Sequence, residues 1–166
     1  MNQEIDKHLP FMNEALKLAE QAAKEGEVPV GAVIVYESQI IAHGFNLRES
    51  RKNPLAHAEL IAIEQAAQKL GRWRLHGCSI YVTLEPCAMC AGALVNARID
   101  KLIFGTTDPK AGAIISHFNI GSGAPLNHTL KIESGIMQIE CQSILQIFFK
   151  KRRQDNKALK NKPHQL

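Results

Sequence analysis

No apolar run in this sequence approaches the roughly 18 residues that a membrane-crossing helix requires, so no such helix is expected. The opening stretch, Met1-Asn2-Gln3-Glu4-Ile5-Asp6, is acidic and polar and lacks the basic start and apolar core of a secretory signal. A cytoplasmic location is therefore expected. Cysteine is scarce, with four in 166 residues. A chain of this length buries roughly 70% of its unfolded surface and needs no disulfide staple. Cys78 and Cys141 are isolated in apolar segments and read as buried thiols. Cys87 and Cys90 stand at CxxC spacing, which in a reducing compartment points to metal or redox chemistry. Internal repeats and interdomain linkers are lacking too. One domain is expected over residues 1–157, followed by a basic tail, 158–166, expected to be disordered.

What is present is ordinary for a folded soluble chain, with 45% hydrophobic and 22% charged residues. The net charge of +4 is unevenly spread. From Lys150 to Leu166 there are seven basic residues and one acid, Asp155, so the rest of the chain is net negative. That end suits a polyanion, or else is simply a solvated helix face.

Helical spacing of Phe11, Ala15, Leu18, Ala19 and Ala22 predicts a first helix, capped by Asp6 and running to about Lys24. Gly31 to Tyr36 is a β-branched run that reads as a central strand, with a hairpin partner over Ile40–Phe45 after a turn at Glu37-Ser38-Gln39. A second helix is expected from about His57 to Leu70, stopped by Gly71. A third strand follows at about Cys78–Thr83, a short helix at Cys87–Asn96 and a fourth strand at Lys101–Gly105, parallel to the third. Thr107 to Asn127 is loop-rich. Lys131-Ile132-Glu133 reads as a short last strand, and a final helix runs from about Met137 past Lys150 with Cys141, Ile144, Leu145 and Phe148 on its buried face. This order implies an α/β fold of three layers, α/β/α, around one mixed sheet.

The chemistry concentrates in His57-Ala58-Glu59 and Thr83-Leu84-Glu85-Pro86-Cys87-Ala88-Met89-Cys90. One imidazole and two thiols, each at a predicted helix start, can hold a zinc ion with three ligands and leave a fourth position open, the pattern of a catalytic rather than a structural site. Partial positive charge at two facing helix starts favours the thiolates. Glu59 is read as the proton shuttle and not as a ligand. A closed, non-catalytic zinc site in an RNA-binding module is the alternative, with Cys78 or His76 as fourth ligand.

These residues match the H-x-E…P-C-x-x-C signature of the zinc-dependent nucleoside and nucleic-acid deaminases. More closely, the chain resembles the bacterial tRNA-specific adenosine deaminases. The likeness runs nearly end to end and includes Glu27-Val28-Pro29-Val30-Gly31-Ala32, Gly44-Phe45-Asn46, Asp108-Pro109-Lys110-Ala111-Gly112, Leu126-Asn127-His128 and Phe148-Phe149…Arg152-Arg153. The resemblance implies a cytidine deaminase-like fold with a five-stranded sheet. It implies a homodimer with one zinc ion per subunit that converts adenosine to inosine at the wobble position, 34, of a tRNA anticodon. It implies zinc ligation by His57, Cys87 and Cys90 and proton transfer by Glu59. Asn46 would meet the purine edge, with Val30 and backbone groups near Leu84 and Glu85 completing the pocket. Asp108, Asn127 and His128 would line the groove for the anticodon stem-loop, and Phe149, Arg152 and Arg153 would contact flanking nucleotides. An aromatic beside two arginines can stack on a base and bind phosphate; core packing of Phe149 against Phe148 is the other reading. A deaminase of a free base or nucleoside would use the same zinc chemistry without needing the basic end.

Overall fold

Three strands alternate apolar residues between two faces, and in the computed structural model that alternation divides the core. The structure describes residues 6–123 and 126–160. In β1 (Gly31–Tyr36), Ala32 and Ile34 join one buried cluster while Val33 and Val35 join another. β3 (Cys78–Leu84) splits Ile80 and Val82 from Tyr81 in the same way, and β4 (Lys101–Thr106) splits Leu102 and Phe104 from Ile103. A sheet buried on both faces needs a helical layer on each. Helices α2 (Ala58–Leu70) and α3 (Ala88–Asn96) cover the first face. Helices α1 (Leu9–Lys24) and α4 (Gln138–Lys160) cover the second, through Met12, Ala15 and Cys141.

With β2 (Gln39–Phe45) and β5 (Lys131–Ser134) the sheet has five strands in the order β2-β1-β3-β4-β5. β1 runs antiparallel to both β2 and β3, whereas β3, β4 and β5 are parallel. The mixed sheet and the three layers are as the sequence implied. The hairpin turn is one residue tighter than the spacing suggested: Tyr36 pairs with Gln39, and Glu37 and Ser38 both take positive φ, 49° and 61°. That is the backbone pattern of a two-residue primed turn, adopted here without glycine.

Two details at helix starts depart from the sequence reading. Asp6 does not cap α1; His8 occupies the N-cap, and Pro10 sits in the first turn, where its missing N–H costs nothing. His8 is buried, with Nδ1 2.9 Å from the Tyr81 hydroxyl and Nε2 2.9 Å from a Glu133 carboxylate oxygen, so tertiary contacts rather than an acidic cap fix this end. On α4 only Cys141 is buried, while Ile144, Leu145 and Phe148 are half-buried. That helix continues through Lys160, three residues past the expected domain boundary; residues 161–166 of the expected tail lie outside the described residues.

Close packing sets where α2 begins. Ala58, Ala62 and Ala66 have no exposed surface, and β2 passes beneath them at Gly44. A β-carbon at Gly44 would collide with the Ala58 carbonyl oxygen. The absent side chain lets the first turn of α2 sit directly on the sheet, and that turn carries His57 and Glu59.

Candidate active site

His57 and Cys87 are the N-cap residues of α2 and α3. An N-cap position favours Ser, Thr, Asp or Asn, whose side chains turn back onto their own helix. Neither residue does this: both are extended, with φ/ψ of −82°/150° and −72°/173°, and neither side chain caps its helix. Their side chains meet each other instead. His57 Nδ1 lies 3.8 Å from Cys87 Sγ and 3.5 Å from Cys90 Sγ. The three ligand atoms all fall within 4.8 Å of one another, and they are the described residues that group in this way. Tetrahedral coordination with ordinary metal–sulfur and metal–nitrogen bonds separates an N and an S ligand by about 3.6 Å, so the donor set and its spacing fit a metal ion. Neither Cys78 nor His76 completes a closed site. Cys78 is buried at the far end of β3, and His76 is exposed and faces Asp100.

The thiols differ as their surroundings require. Burial pushes Cys78 up and Cys141 up to about 12, as for inert core thiols. Cys87 is brought down to about 4, first by the hydrogen bond from Cys90, then against its burial by His57. Cys90 is correspondingly raised by Cys87, by burial and by the charge of Glu59. His57 is raised by its contact with Cys87, against burial, with Glu59 adding to the rise. Glu59 is buried in the first turn of α2, and burial, followed by the nearby Cys87 charge, lifts its carboxyl above the usual range. Residues two apart on a regular helix point about 200° away from each other, but His57 is extended. Because His57 is not yet helical, it and Glu59 reach the same cavity.

That cavity has a volume of about 200 Å³. Of the sequence-predicted residues it gathers Val30, Asn46, His57, Glu59, Leu84, Glu85, Cys87 and Asp108 in its walls, with Cys90 buried behind. Val28, Arg48 and Ala111 also line it, with no role expected of them from the sequence. Asn46 is fixed by three bonds. Its backbone N–H donates to Val30 O at 3.1 Å, its amide N–H to Val28 O at 3.3 Å, and its Oδ1 accepts from Arg48 N at 3.4 Å.

Two buried carboxylates frame the cavity from behind. Glu27, fully buried, accepts N–H bonds from Ser50 at 2.7 Å and Glu49 at 3.1 Å and so anchors the segment after Asn46. Burial alone would raise its carboxyl, but the Ser50 and Glu49 donors and the Arg48 charge outweigh it and hold it below the ordinary value. Glu85 likewise binds the segment from Asp108 to Ser116. Its carboxyl too is lowered overall: the Ser116 hydroxyl and the N–H groups of Ile115, Asp108 and Ser116 overcome its burial. Nothing in the local sequence distinguishes Glu27 from a solvated acid, because its donors come from residues more than twenty positions away.

The remaining predicted residues lie elsewhere. Asn127 Oδ1 accepts from Arg98 Nη1 at 3.0 Å, and the His128 ring meets the Ile99 carbonyl. Both stand at the opposite end of α3 from the cysteines. Phe149 is 40% exposed on α4, edge-to-face with Phe148 at 5.5 Å, so core packing does not account for it. Arg152 stacks 5.9 Å from the Phe148 ring, and Arg152 and Arg153 are exposed.

Comparison with known proteins agrees with this geometry. A family model, the MafB19-like deaminases, matches residues 6–153. A tRNA-specific adenosine deaminase of Bacillus subtilis (strain 168) is 45% identical over 89% of this chain and 92% of its own length. The enzyme of that description from Aquifex aeolicus (strain VF5) is 48% identical over 86% and 94%. A solved structure from a study of A-to-I editing by tRNA:A34 deaminases at the wobble position of transfer RNA superposes with a TM-score of 0.79 at 41% identity, covering 81% of this chain and 98% of that one. With matches of this extent, the chain belongs to the family of the tRNA-specific adenosine deaminases, within the MafB19-like deaminases.

Proposed function

We propose that this chain is a zinc-dependent hydrolase that converts adenosine to inosine at position 34 of a tRNA anticodon. The observation that carries the reading is the meeting of His57, Cys87 and Cys90 beside the buried carboxyl of Glu59, at the head of a cavity closed by Asn46. His57, Cys87 and Cys90 would hold zinc, the ion that sulfur and imidazole donors prefer. Zinc supplies the Lewis acidity that makes water nucleophilic near neutral pH.

The chain's own residues account for the rest. The target base must leave its stack to be reached, and a single-stranded loop allows this at modest cost. Val30 and Leu84 offer it apolar walls, while the Asn46 amide offers hydrogen bonds to the purine edge. Glu59 takes a proton from the attacking water and delivers it to N1 of the base. It then takes the remaining proton of the hydroxyl newly bonded to C6 and gives it to the exocyclic amine, which leaves as ammonia while the C6 carbonyl forms. Water and adenosine thus become inosine and ammonia. Burial raises the Glu59 carboxyl above the ordinary carboxylate range, which makes it a stronger proton acceptor than a solvated glutamate.

The anticodon arm would pass Asp108 at the cavity rim and reach Asn127 and His128, about 15 Å along α3 from Cys87 by helix rise. Phe149, Arg152 and Arg153 would take the flanking nucleotides by stacking and phosphate contact. The activity belongs to one domain, residues 1–157, acting as a homodimer in the cytoplasm. No helix among the described residues is long and apolar enough to cross a membrane.

Incubation with an unmodified tRNA whose anticodon begins with adenosine, alongside free adenosine, cytidine and guanine, tests the reading. Inosine formed only at that anticodon position is the expected result. Turnover of a free base or nucleoside with the tRNA untouched would overturn the substrate assignment and leave the site chemistry standing.

A further inference from the structure

We propose that the Glu85 side chain is a positioning residue for RNA binding, which holds the arm bearing Asp108 against the start of α3. The proposal rests on the tRNA reading above for the meaning of Asp108 and on the geometry of Glu85 for the rest. The Glu85 carboxylate is 2% exposed and both its oxygens are engaged. Oε1 accepts the backbone N–H groups of Ile114 at 3.1 Å, Ile115 at 2.8 Å and Ser116 at 2.9 Å. Oε2 accepts the N–H of Asp108 at 2.9 Å and the hydroxyl of Ser116. A carboxylate offers about four lone-pair sites, so five donors saturate it. Glu85 has no acceptor left for substrate or for a reacting proton, although it borders the cavity. Its work is to bind the arm.

The arm is attached to nothing else so firmly. Ala113 N–H donates to Pro86 O at 2.9 Å, and Gly112 bridges Cys87. A β-carbon at Gly112 would strike the Glu85 carboxylate, so glycine is what lets the arm close over it. Within the arm the Asp108 carboxylate accepts from Lys110 N at 2.9 Å, which fixes its direction once its backbone is fixed. Glu85 therefore couples two parts of the site, the residues leading into Cys87 and the rim that meets RNA.

A carboxylate is required here for a reason that an amide exposes. In Glu85→Gln the amide oxygen can keep the three bonds at the Oε1 position. The amide NH₂ then faces the Asp108 N–H, donor against donor, while the Ser116 hydroxyl can turn to accept. The Asp108 end of the arm is released and the 114–116 end is kept.

The test uses the zinc-loaded, full-length protein. In Glu85→Gln, amide hydrogen exchange should show lost protection at Asp108 with protection at 114–116 retained. Zinc content should be unchanged. KM for an anticodon stem-loop should rise about tenfold or more, as expected when a charge-assisted bond is lost, with a smaller change in kcat. Combined with Asp108→Ala, the change should add little to Asp108→Ala alone, because both act through one arm. Zinc loss, a fall in kcat at unchanged KM, or full additivity would overturn the proposal. Should Glu85→Gln not fold, Ser116→Ala removes only the hydroxyl bond. It should raise KM in the same direction and loosen Asp108, and unchanged KM with unchanged protection would overturn the inference. Failure of the tRNA reading would look different, since the unsubstituted protein itself would not deaminate the stem-loop.

Discussion

Burial decides what each carboxyl at this site can do. Glu59, Glu27 and Glu85 are all buried, yet only Glu59 is raised, because hydrogen-bond donors outweigh burial at the other two. Glu59 is therefore the one suited to carrying protons. Replacing Glu59 with Ala should lower kcat by about 10²-fold to 10⁴-fold or more while the metal remains bound. Metal analysis beside a turnover assay checks this, and loss of metal would show that Glu59 is a ligand. Glu27 makes a different prediction. Its folded carboxyl is depressed, so its contribution to stability is present above the ordinary value near 4.5 and is lost as pH falls through the folded one. Glu27→Gln should cost about 1–3 kcal/mol at pH 7, since a charged acceptor of two N–H groups is replaced by a neutral one. The gap from the parent should shrink in acid, as read by urea unfolding at pH 7 and pH 3.

At the scale of elements, helix starts and the strands beneath them do the positioning. α2 must approach β2 closely for His57 to reach the cysteines at the start of α3, and Gly44 permits that approach. Gly44→Ala should push the first turn of α2 outward, weaken metal affinity and lower stability by about 1–3 kcal/mol, the usual cost of overpacking. Metal titration and thermal unfolding would show both effects together. α4 has another task. Its C-terminal half is exposed and basic, with Phe149 and Arg152 presented to solvent. Arg152→Ala with Arg153→Ala should weaken tRNA binding and reduce the slope of log affinity against log salt by about one per lost phosphate contact. Equal salt slopes in the parent and the double variant would return both arginines to a solvated helix face.

Across the whole molecule, the two helical layers are joined through the sheet, and the His57–Cys87–Cys90 cluster ties α2 directly to α3 on one side of it. Metal binding to the folded state alone stabilises it by mass action, about 4 kcal/mol at a thousandfold excess over Kd. Chelation should therefore abolish activity and also lower the unfolding temperature, and added zinc should restore both. An unchanged unfolding temperature after verified metal loss would mean that the two helix starts are held by packing alone.

The sequence by itself determined the elements and the chemistry. Period-2 and period-3.6 patterning, together with Gly71 as a stop, located the five strands and four helices of the described residues, because those signals are local. His57, Glu59, Cys87 and Cys90 were legible because CxxC and H-x-E spacing is constrained by short stretches of chain. Tertiary structure alone decided how the rim is held. Glu27 and Glu85 find their donors 22 to 31 residues away, and His8 is placed at its helix start by Tyr81 and Glu133. The resemblance assigns Asn127, His128 and Asp108 to one groove without saying how far apart they stand; the fold puts Asp108 at the cavity and the other two near the C-terminal end of α3. Hydrogen bonds between distant residues leave no periodicity in a sequence. A buried carboxylate that organises a loop is therefore indistinguishable from a solvated one until the chain has folded around it.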